Sequence, residues 1–325
     1  MIITKTPMRV SFAGGGSDLP EFYRHYTGAV TSMAIKKYMY ITINKRFDNT
    51  TRVSYSETEI VDSVDKIKHP IVKACLQKVG IEGGIEITSV ADIPKGTGLG
   101  SSSSFTVGLL NALYAFQGKL KSAENLAQEA CRIEIDVLKE PIGKQDQYIC
   151  AYGGLQFIQF NKDESVFVNP IICSKNTKEQ LCKNLLMFYT GITREASEIL
   201  TEQKQNTLND GKKQETLKKM VELAVELRDA LYNNNLSKWG SLLHKGWLYK
   251  KKLASNITNP AVEDYYEKAI NAGAVGGKLL GAGGGGFLLF YCEPEKQDNI
   301  RKALNLRELP IQLEQQGSKI IYVEE

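Results

Sequence analysis

The chain has 325 residues, 42% of them hydrophobic, which is length for about two domains and enough apolar mass for a substantial core, so a disordered or fibrous protein is excluded. Its 41 Lys and Arg against 37 Asp and Glu leave a formal charge of +4 spread along the sequence. No nucleic-acid footprint emerges from that distribution, and any anion the protein binds is expected to be small.

In chain order, Met1-Ile2-Ile3-Thr4-Lys5 runs into strand-like sequence without a secretory apolar region, and Pro7-Met8-Arg9-Val10-Ser11-Phe12 continues it up to a glycine turn. Residues 31–47, rich in Ile, Thr and Tyr, and residues 84–90, with Ile85 and Ile87 alternating against Glu86 and Thr88, read as strands. A helix is predicted over Ser101–Phe116 after a glycine loop. The uncharged stretch 96–118 around it is no membrane span, because its apolar part is only about half of the ~20 residues required. A second helix starts at Ser122, a capping residue with Glu124 in the first turn, and stops before Pro141. Gly153-Gly154 turns the chain into an alternating strand, Leu155–Phe160. Leu185–Tyr189 is a short apolar strand. Residues 195–254 are helical in pattern, with breaks at Asn209-Asp210-Gly211 and Asn233-Asn234-Asn235, and strands return at 287–292 and Lys319–Val323. This order predicts an α+β protein of two domains, 1–170 and 171–325.

The six cysteines, Cys75, Cys131, Cys150, Cys173, Cys182 and Cys292, contain no C-x-x-C pair and fit neither a zinc pattern nor a disulfide framework. Free thiols suit a reducing compartment, so a cytoplasmic location is expected, with no membrane and no nucleic-acid partner and with a homodimer left open.

Three glycine runs carry the chemistry. In Pro94-Lys95-Gly96-Thr97-Gly98-Leu99-Gly100-Ser101-Ser102-Ser103-Ser104 the glycines remove β-carbons where a loop must wrap an anion. The helix that follows offers free N–H groups and a positive dipole end, so this run reads as a polyphosphate cradle. It lacks the Gly-Lys-Ser/Thr ending of a Walker A loop and the context of a dinucleotide fingerprint; the bland alternative is a turn before an ordinary helix. Lys278-Leu279-Leu280-Gly281-Ala282-Gly283-Gly284-Gly285-Gly286-Phe287 places four consecutive glycines between apolar segments, which points to close approach by a ligand or another loop rather than a flexible hairpin. At the start, Ala13-Gly14-Gly15-Gly16-Ser17-Asp18-Leu19-Pro20 ends a strand in glycines and an acceptor for sugar hydroxyls, the alternative being an Asx-type turn.

With these runs in this order the sequence resembles the GHMP kinases over nearly its whole length. Within them it is most similar to bacterial D-glycero-D-manno-heptose 7-phosphate kinases, with the sugar-kinase domain of fucokinases as a near relative; Gly15 and Gly16 stand where galactokinases carry Glu and His. The resemblance implies a ribosomal-S5-like amino-terminal domain and a ferredoxin-like carboxy-terminal one. It implies ATP and Mg²⁺ as cofactors, and phosphorylation of a sugar phosphate at its anomeric hydroxyl. Carried over by motif, ATP phosphates fall to Lys95, Gly96, Gly98, Leu99, Gly100, Ser101, Ser102 and Ser103, and magnesium to Ser102 and Glu134. Catalysis falls to Asp146 with Arg9, and the acceptor to Gly15, Gly16, Ser17 and Asp18. Gly283 and Gly284, in the last run, are expected to close over the substrate. Residue chemistry supports the pairing: Glu134 lies in a helix broken by Pro141-Ile142-Gly143, and two carboxylates beside a glycine loop are what metal-assisted phosphoryl transfer needs. Arg194, between a strand and a helix, is the candidate for an acceptor phosphate, with Arg24, Lys36 and Lys37 as rivals. The alternatives are a fucokinase-like or other monosaccharide kinase, and a non-catalytic sensor of ATP and sugar.

Other features take the bland reading. His25, His69 and His244 are isolated, residues 245–252, rich in Lys with Trp247 and Tyr249, read as a solvated helix face, and Cys150 reads as packing.

Overall fold

The computed structural model describes residues 1–193 and 196–324. The chain runs β1 (Ile2–Ala13), α1 (Pro20–Tyr23), β2 (Gly28–Lys45), β3 (Thr51–Ser54), β4 (Thr58–Val61), α2 (Pro70–Val79), β5 (Ile85–Ala91), α3 (Ser101–Phe116), α4 (Ala123–Cys131), α5 (Gln145–Tyr152), β6 (Leu155–Phe160) and β7 (Val166–Pro170). It continues through α6 (Lys175–Asn184), β8 (Leu185–Tyr189), α7 (Ala196–Asn209), α8 (Gly211–Tyr232), α9 (Trp239–Lys250), α10 (Pro260–Asn271), β9 (Gly276–Leu279), β10 (Phe287–Tyr291), α11 (Gln297–Leu304), β11 (Arg307–Glu308) and β12 (Lys319–Val323).

Local chemistry sets these bounds. Ser122 caps α4 by accepting from Asn125 N–H, Ser174 caps α6 through Thr177, and Asp210 caps α8 through Lys212, so the expected break at Asn209-Asp210-Gly211 is a helix start. β2 is long enough to serve two partners on one edge: its first half pairs with β6 and its second with β5, while β1 runs along the other edge. The resulting eight-stranded sheet is antiparallel except between β3 and β5. Its far edge is β12, whose register couples Ile2 to Val323 and Lys5 to Lys319. The second sheet has the order β11-β8-β10-β9, the 4-1-3-2 arrangement of a ferredoxin-like unit, with helices α7 to α10 inserted between its first and second strands.

Strand alternation decides what β1 offers to each side. Met8, Val10 and Phe12 enter a core shared with Leu223 and Leu227 of α8, Trp239 of α9 and Leu289 of β10. The intervening Arg9 and Ser11 turn to the opposite face and line a cleft. The shared core joins the two sheets, so the cleft between them has packed walls.

Candidate active site

The cleft encloses about 750 Å³ and draws on all three glycine runs. Its first wall is the start of α3. Gly100 holds the N-cap position at φ +74°, a left-handed conformation suited to glycine, and no side chain caps the helix. The first-turn N–H groups of Ser101, Ser102 and Ser103, which line the cleft, therefore have no intrahelical partner, and the positive end of a 16-residue helix faces the space. Lys95, Gly96 and Gly98 line the same wall. The Leu99 side chain departs from that set: it is fully buried in the core, and only its carbonyl is engaged, by Arg9 N–H at 3.0 Å.

The second wall joins Arg9 to Asp146. Arg9 Nε donates to Asp146 Oδ1 at 2.7 Å and a terminal nitrogen donates to Oδ2 at 2.6 Å, a bidentate pair, while its other terminal nitrogen donates to Gly98 O at 2.5 Å. Burial pulls the guanidinium down, but the charge and hydrogen bonds of Asp146 outweigh it and the net shift is upward. A β-carbon on Gly100 would lie within 3.2 Å of Arg9 and 3.3 Å of Asp146, so the glycine lets the anion loop close on this pair.

Glu134 sits behind the loop. The chain between α4 and Pro141 forms a π-helical turn, Arg132–Val137, whose wider winding presents Glu134 to α3. Its carboxylate, 1% exposed, accepts from Ser102 at 3.1 Å, Ser103 at 2.8 Å, Thr106 at 3.1 Å and Gln147 at 2.5 Å. Burial pushes Glu134 up to about 7 in spite of these bonds. All four partners are neutral, so a buried carboxylate and the Ser102 hydroxyl stand together at the positive helix end with no cationic side chain bonded to them among the described residues, a hard oxygen donor set that fits a divalent ion.

The third region lies around Gly15. Asp18 accepts from Gly16 N–H at 2.8 Å and from Gln145 N–H, in the first turn of α5, at 3.2 Å; burial raises its pKa. Gly143 lies so close that a β-carbon there would meet Asp18 Oδ2 at 2.0 Å. The Ser11 hydroxyl and the Gln145 amide nitrogen flank Gly15, and among the described residues neither the Ser11 hydroxyl nor the Gln145 amide oxygen has a hydrogen-bond partner although both atoms are buried. Unsatisfied polar atoms beside a cleft mark where a polar ligand would bind.

Gly15, Gly16 and Asp18 line the cleft as the sequence suggests, but Ser17 does not. Its hydroxyl is consumed inside the protein, donating to Ala29 O at 3.1 Å and accepting from Ala29 N–H at 3.0 Å, so it clamps the turn to β2. In the last glycine run Gly281 and Ala282 reach the cleft, whereas Gly283 packs on Ile257 and Gly284 bonds to Ile257 O and Asn259, on the far side. This run leans on the anion loop: a β-carbon on Gly281 would stand 2.4 Å from the α-carbon of Gly98, and one on Gly286 would stand 2.4 Å from Thr97 O. Arg194 lies outside the described residues. Arg24 is paired with Glu164 away from the cleft, and neither Lys36 nor Lys37 lines it.

Among the cleft residues that escaped the sequence reading are two lysines. Lys278 of β9 and Lys250 of α9 are 5% and 8% exposed and face the cleft. The stretch 245–252 is therefore not a solvated face throughout: Trp247 is fully buried and Lys250 continues the buried side of α9 set by Trp239, Leu243, Gly246 and Trp247. That spacing of three and four residues is the signal that places Lys250 inside. The bland readings of His69, which caps α2, His244, bonded to Tyr266 at 2.8 Å, and the buried Cys150 fit what surrounds them.

Comparison with known proteins bears on this geometry. Residues 65–154 match the model for the GHMP kinases N terminal domain and residues 227–308 that for the GHMP kinases C terminal. The chain is 33% identical over 318 residues to the D-glycero-alpha-D-manno-heptose 7-phosphate kinase of Campylobacter jejuni, covering 93% of each. It is 30% identical over 338 residues to the L-fucokinase/L-fucose-1-P guanylyltransferase of Bacteroides fragilis, covering 92% of this chain and 35% of that protein. In fold it matches the crystal structure of a D-glycero-D-manno-heptose 1-phosphate kinase from Bacteroides thetaiotaomicron with a TM-score of 0.81 over 100% of both chains at 24% identity.

Proposed function

The chain belongs to the GHMP kinase family, an enzyme of the sugar-kinase type with ATP as phosphate donor, and from this we propose that it phosphorylates the anomeric hydroxyl of D-glycero-D-manno-heptose 7-phosphate to give the 1,7-bisphosphate. The observation that carries the chemistry is the Arg9–Asp146 pair, set beside an uncapped helix end and the unpartnered Ser11 hydroxyl and Gln145 amide oxygen. The choice of acceptor leans on the likeness to the Campylobacter jejuni protein, which spans nearly the full length of both chains.

In this reading the N–H groups of Ser101, Ser102 and Ser103 hold the ATP phosphates, with Gly96, Gly98 and Gly100 letting the backbone approach. Ser102 and Glu134 would hold Mg²⁺, which when bound offsets phosphate charge; no cluster of three His, Cys, Asp or Glu side chains stands among the described residues, so phosphate and water oxygens would complete its shell. The sugar lies over Gly15 and Gly16, with Ser11, Asp18 and Gln145 meeting its hydroxyls. Asp146 takes the proton of the anomeric hydroxyl as its oxygen forms a bond to the γ-phosphorus in line with the departing ADP oxygen, and Arg9 fixes the Asp146 carboxylate and offsets charge on the transferring group. No covalent phosphoenzyme is required.

A fucokinase-like activity is the second reading, favoured by the likeness to the Bacteroides fragilis protein. ADP release, measured with heptose 7-phosphate, L-fucose, galactose, mannose and homoserine as acceptors, separates them. The heptose phosphate is expected to give the highest kcat/KM; a larger value with L-fucose would replace the proposal by the second reading.

A further inference from the structure

Lys250 and Lys278 are an unusual pair for a protein interior. Each is more than nine-tenths buried, each lines the cleft, and among the described residues neither forms an ion pair. Their hydrogen bonds go to backbone carbonyls instead. Lys278 Nζ donates to Ser11 O at 2.8 Å and Phe12 O at 3.1 Å; Lys250 Nζ donates to Gly281 O and, at 3.4 Å, to Leu279 O. An ammonium has three N–H groups, so each retains one donor. The carbonyls that hold them come from β1 next to Arg9 and from the glycine run that leans on Gly98, which puts both ammonium groups between the anion loop and the sugar wall. Arg9, the neighbouring cation, is already committed to Asp146 and Gly98 O.

Burial of positive charge without a counter-ion is costly, and the cost falls away once an anion enters. Burial first, then Lys250 and Arg9, holds Lys278 well below its ordinary range, and burial and Arg9 bring Lys250 down to about 7, as expected for cations short of a partner. The backbone bonds fix the direction of both side chains before a ligand arrives, so little rotamer entropy remains to be lost.

We propose that Lys250 and Lys278 together hold a phosphate group in the cleft, the role that the sequence suggests for Arg194. The proposal deepens the kinase reading and rests on it. The ligand chemistry is a phosphate dianion with two sources: the phosphate carried by the sugar, or the terminal phosphate of ATP.

Calorimetry on the wild type, Lys250→Met and Lys278→Met distinguishes the sources, with mannose 6-phosphate against mannose and ATP against ADP as probes and thermal melts to verify folding. Loss of about 10–100-fold in mannose 6-phosphate affinity in both variants, with mannose unchanged, assigns the pair to the sugar's phosphate. The same loss for ATP, with ADP unchanged, assigns it to the terminal phosphate. Either result supports the proposal. Folded variants that bind all four probes as the wild type does would overturn it. So would a wild type that prefers neither mannose 6-phosphate over mannose nor ATP over ADP, a result that requires no variant to fold. Failure of the kinase reading shows separately, as a wild type that binds these probes and never releases ADP with any acceptor.

Discussion

Arg9 and Asp146 are 137 residues apart in sequence and share two short hydrogen bonds, and the proposed chemistry concentrates on the carboxylate. Asp146→Asn keeps its shape and removes the charge that takes the acceptor proton, so turnover should fall by ~10²–10⁴-fold while ATP and sugar binding survive. Steady-state rates beside calorimetry check this, and unchanged turnover would remove Asp146 from the mechanism. Glu134→Ala should likewise abolish most turnover and weaken the dependence of the rate on magnesium concentration; wild-type activity at ordinary magnesium would contradict its assignment. Lys250 yields a prediction on stability. Its folded value is about 7 against 10.5 for a free lysine, so between these pH values the unfolded chain binds the extra proton and stability rises with pH. The burial cost is present in full below about 7 and is relieved toward 10.5. Urea unfolding at pH 7 and pH 9 should therefore show a larger gain for the wild type than for Lys250→Met; equal gains would show that the ammonium is not strained by burial. Arg9, Glu134 and Asp146 were legible through the family resemblance that the glycine runs carry, which extends to their positions. Lys250 was not, because a lysine-rich run signals solvent by composition, and only the apolar spacing of Trp239, Leu243 and Trp247 along α9 shows which lysine points inward.

At the scale of elements, the site is an assembly of three glycine turns that touch. Gly281 and Gly98 stand so close that a side chain on the former must displace backbone, and Gly281, at φ +73°, is already in the left-handed region. Gly281→Ala is expected to push the last run off the anion loop, raising the KM for ATP more than it lowers thermal stability, and nucleotide titration against melting temperature tests the split. A variant with wild-type ATP affinity would show that the contact is incidental. Two helix starts were readable locally: the predicted span Ser101–Phe116, opened by a glycine loop, is the observed α3, and the capping Ser122 starts α4. The π-helical turn at Arg132–Val137 was not, since its extra residue per turn is imposed by the four hydrogen bonds that draw Glu134 toward α3 and α5, contacts distant in sequence. Ser17 misled for a related reason. A serine in a glycine turn reads the same whether its hydroxyl meets a ligand or, as here, the backbone of Ala29.

At the scale of the molecule, the strand signals of Lys319–Val323 were clear, but their partner was not: β12 crosses back to the edge of the first sheet and pairs with β1. Pairing over more than 300 residues leaves no local trace. We propose that the two domains divide near residue 170, with β12 returned to the first. A chain ending at Gln316 would lose that strand together with the Ser318 hydroxyl that bonds Thr6 at 2.8 Å and Asn111 at 3.0 Å. It should melt at lower temperature yet retain turnover when cold, because β12 does not line the cleft. The proposed activity turns on where the phosphate is placed. Phosphorus NMR of the reaction with ATP and D-glycero-D-manno-heptose 7-phosphate reads this directly: a new phosphorus resonance coupled to the anomeric proton is expected, with the 7-phosphate retained. A new phosphate coupled to any other position of the sugar, or no sugar phosphate formed beyond the starting one, would contradict it.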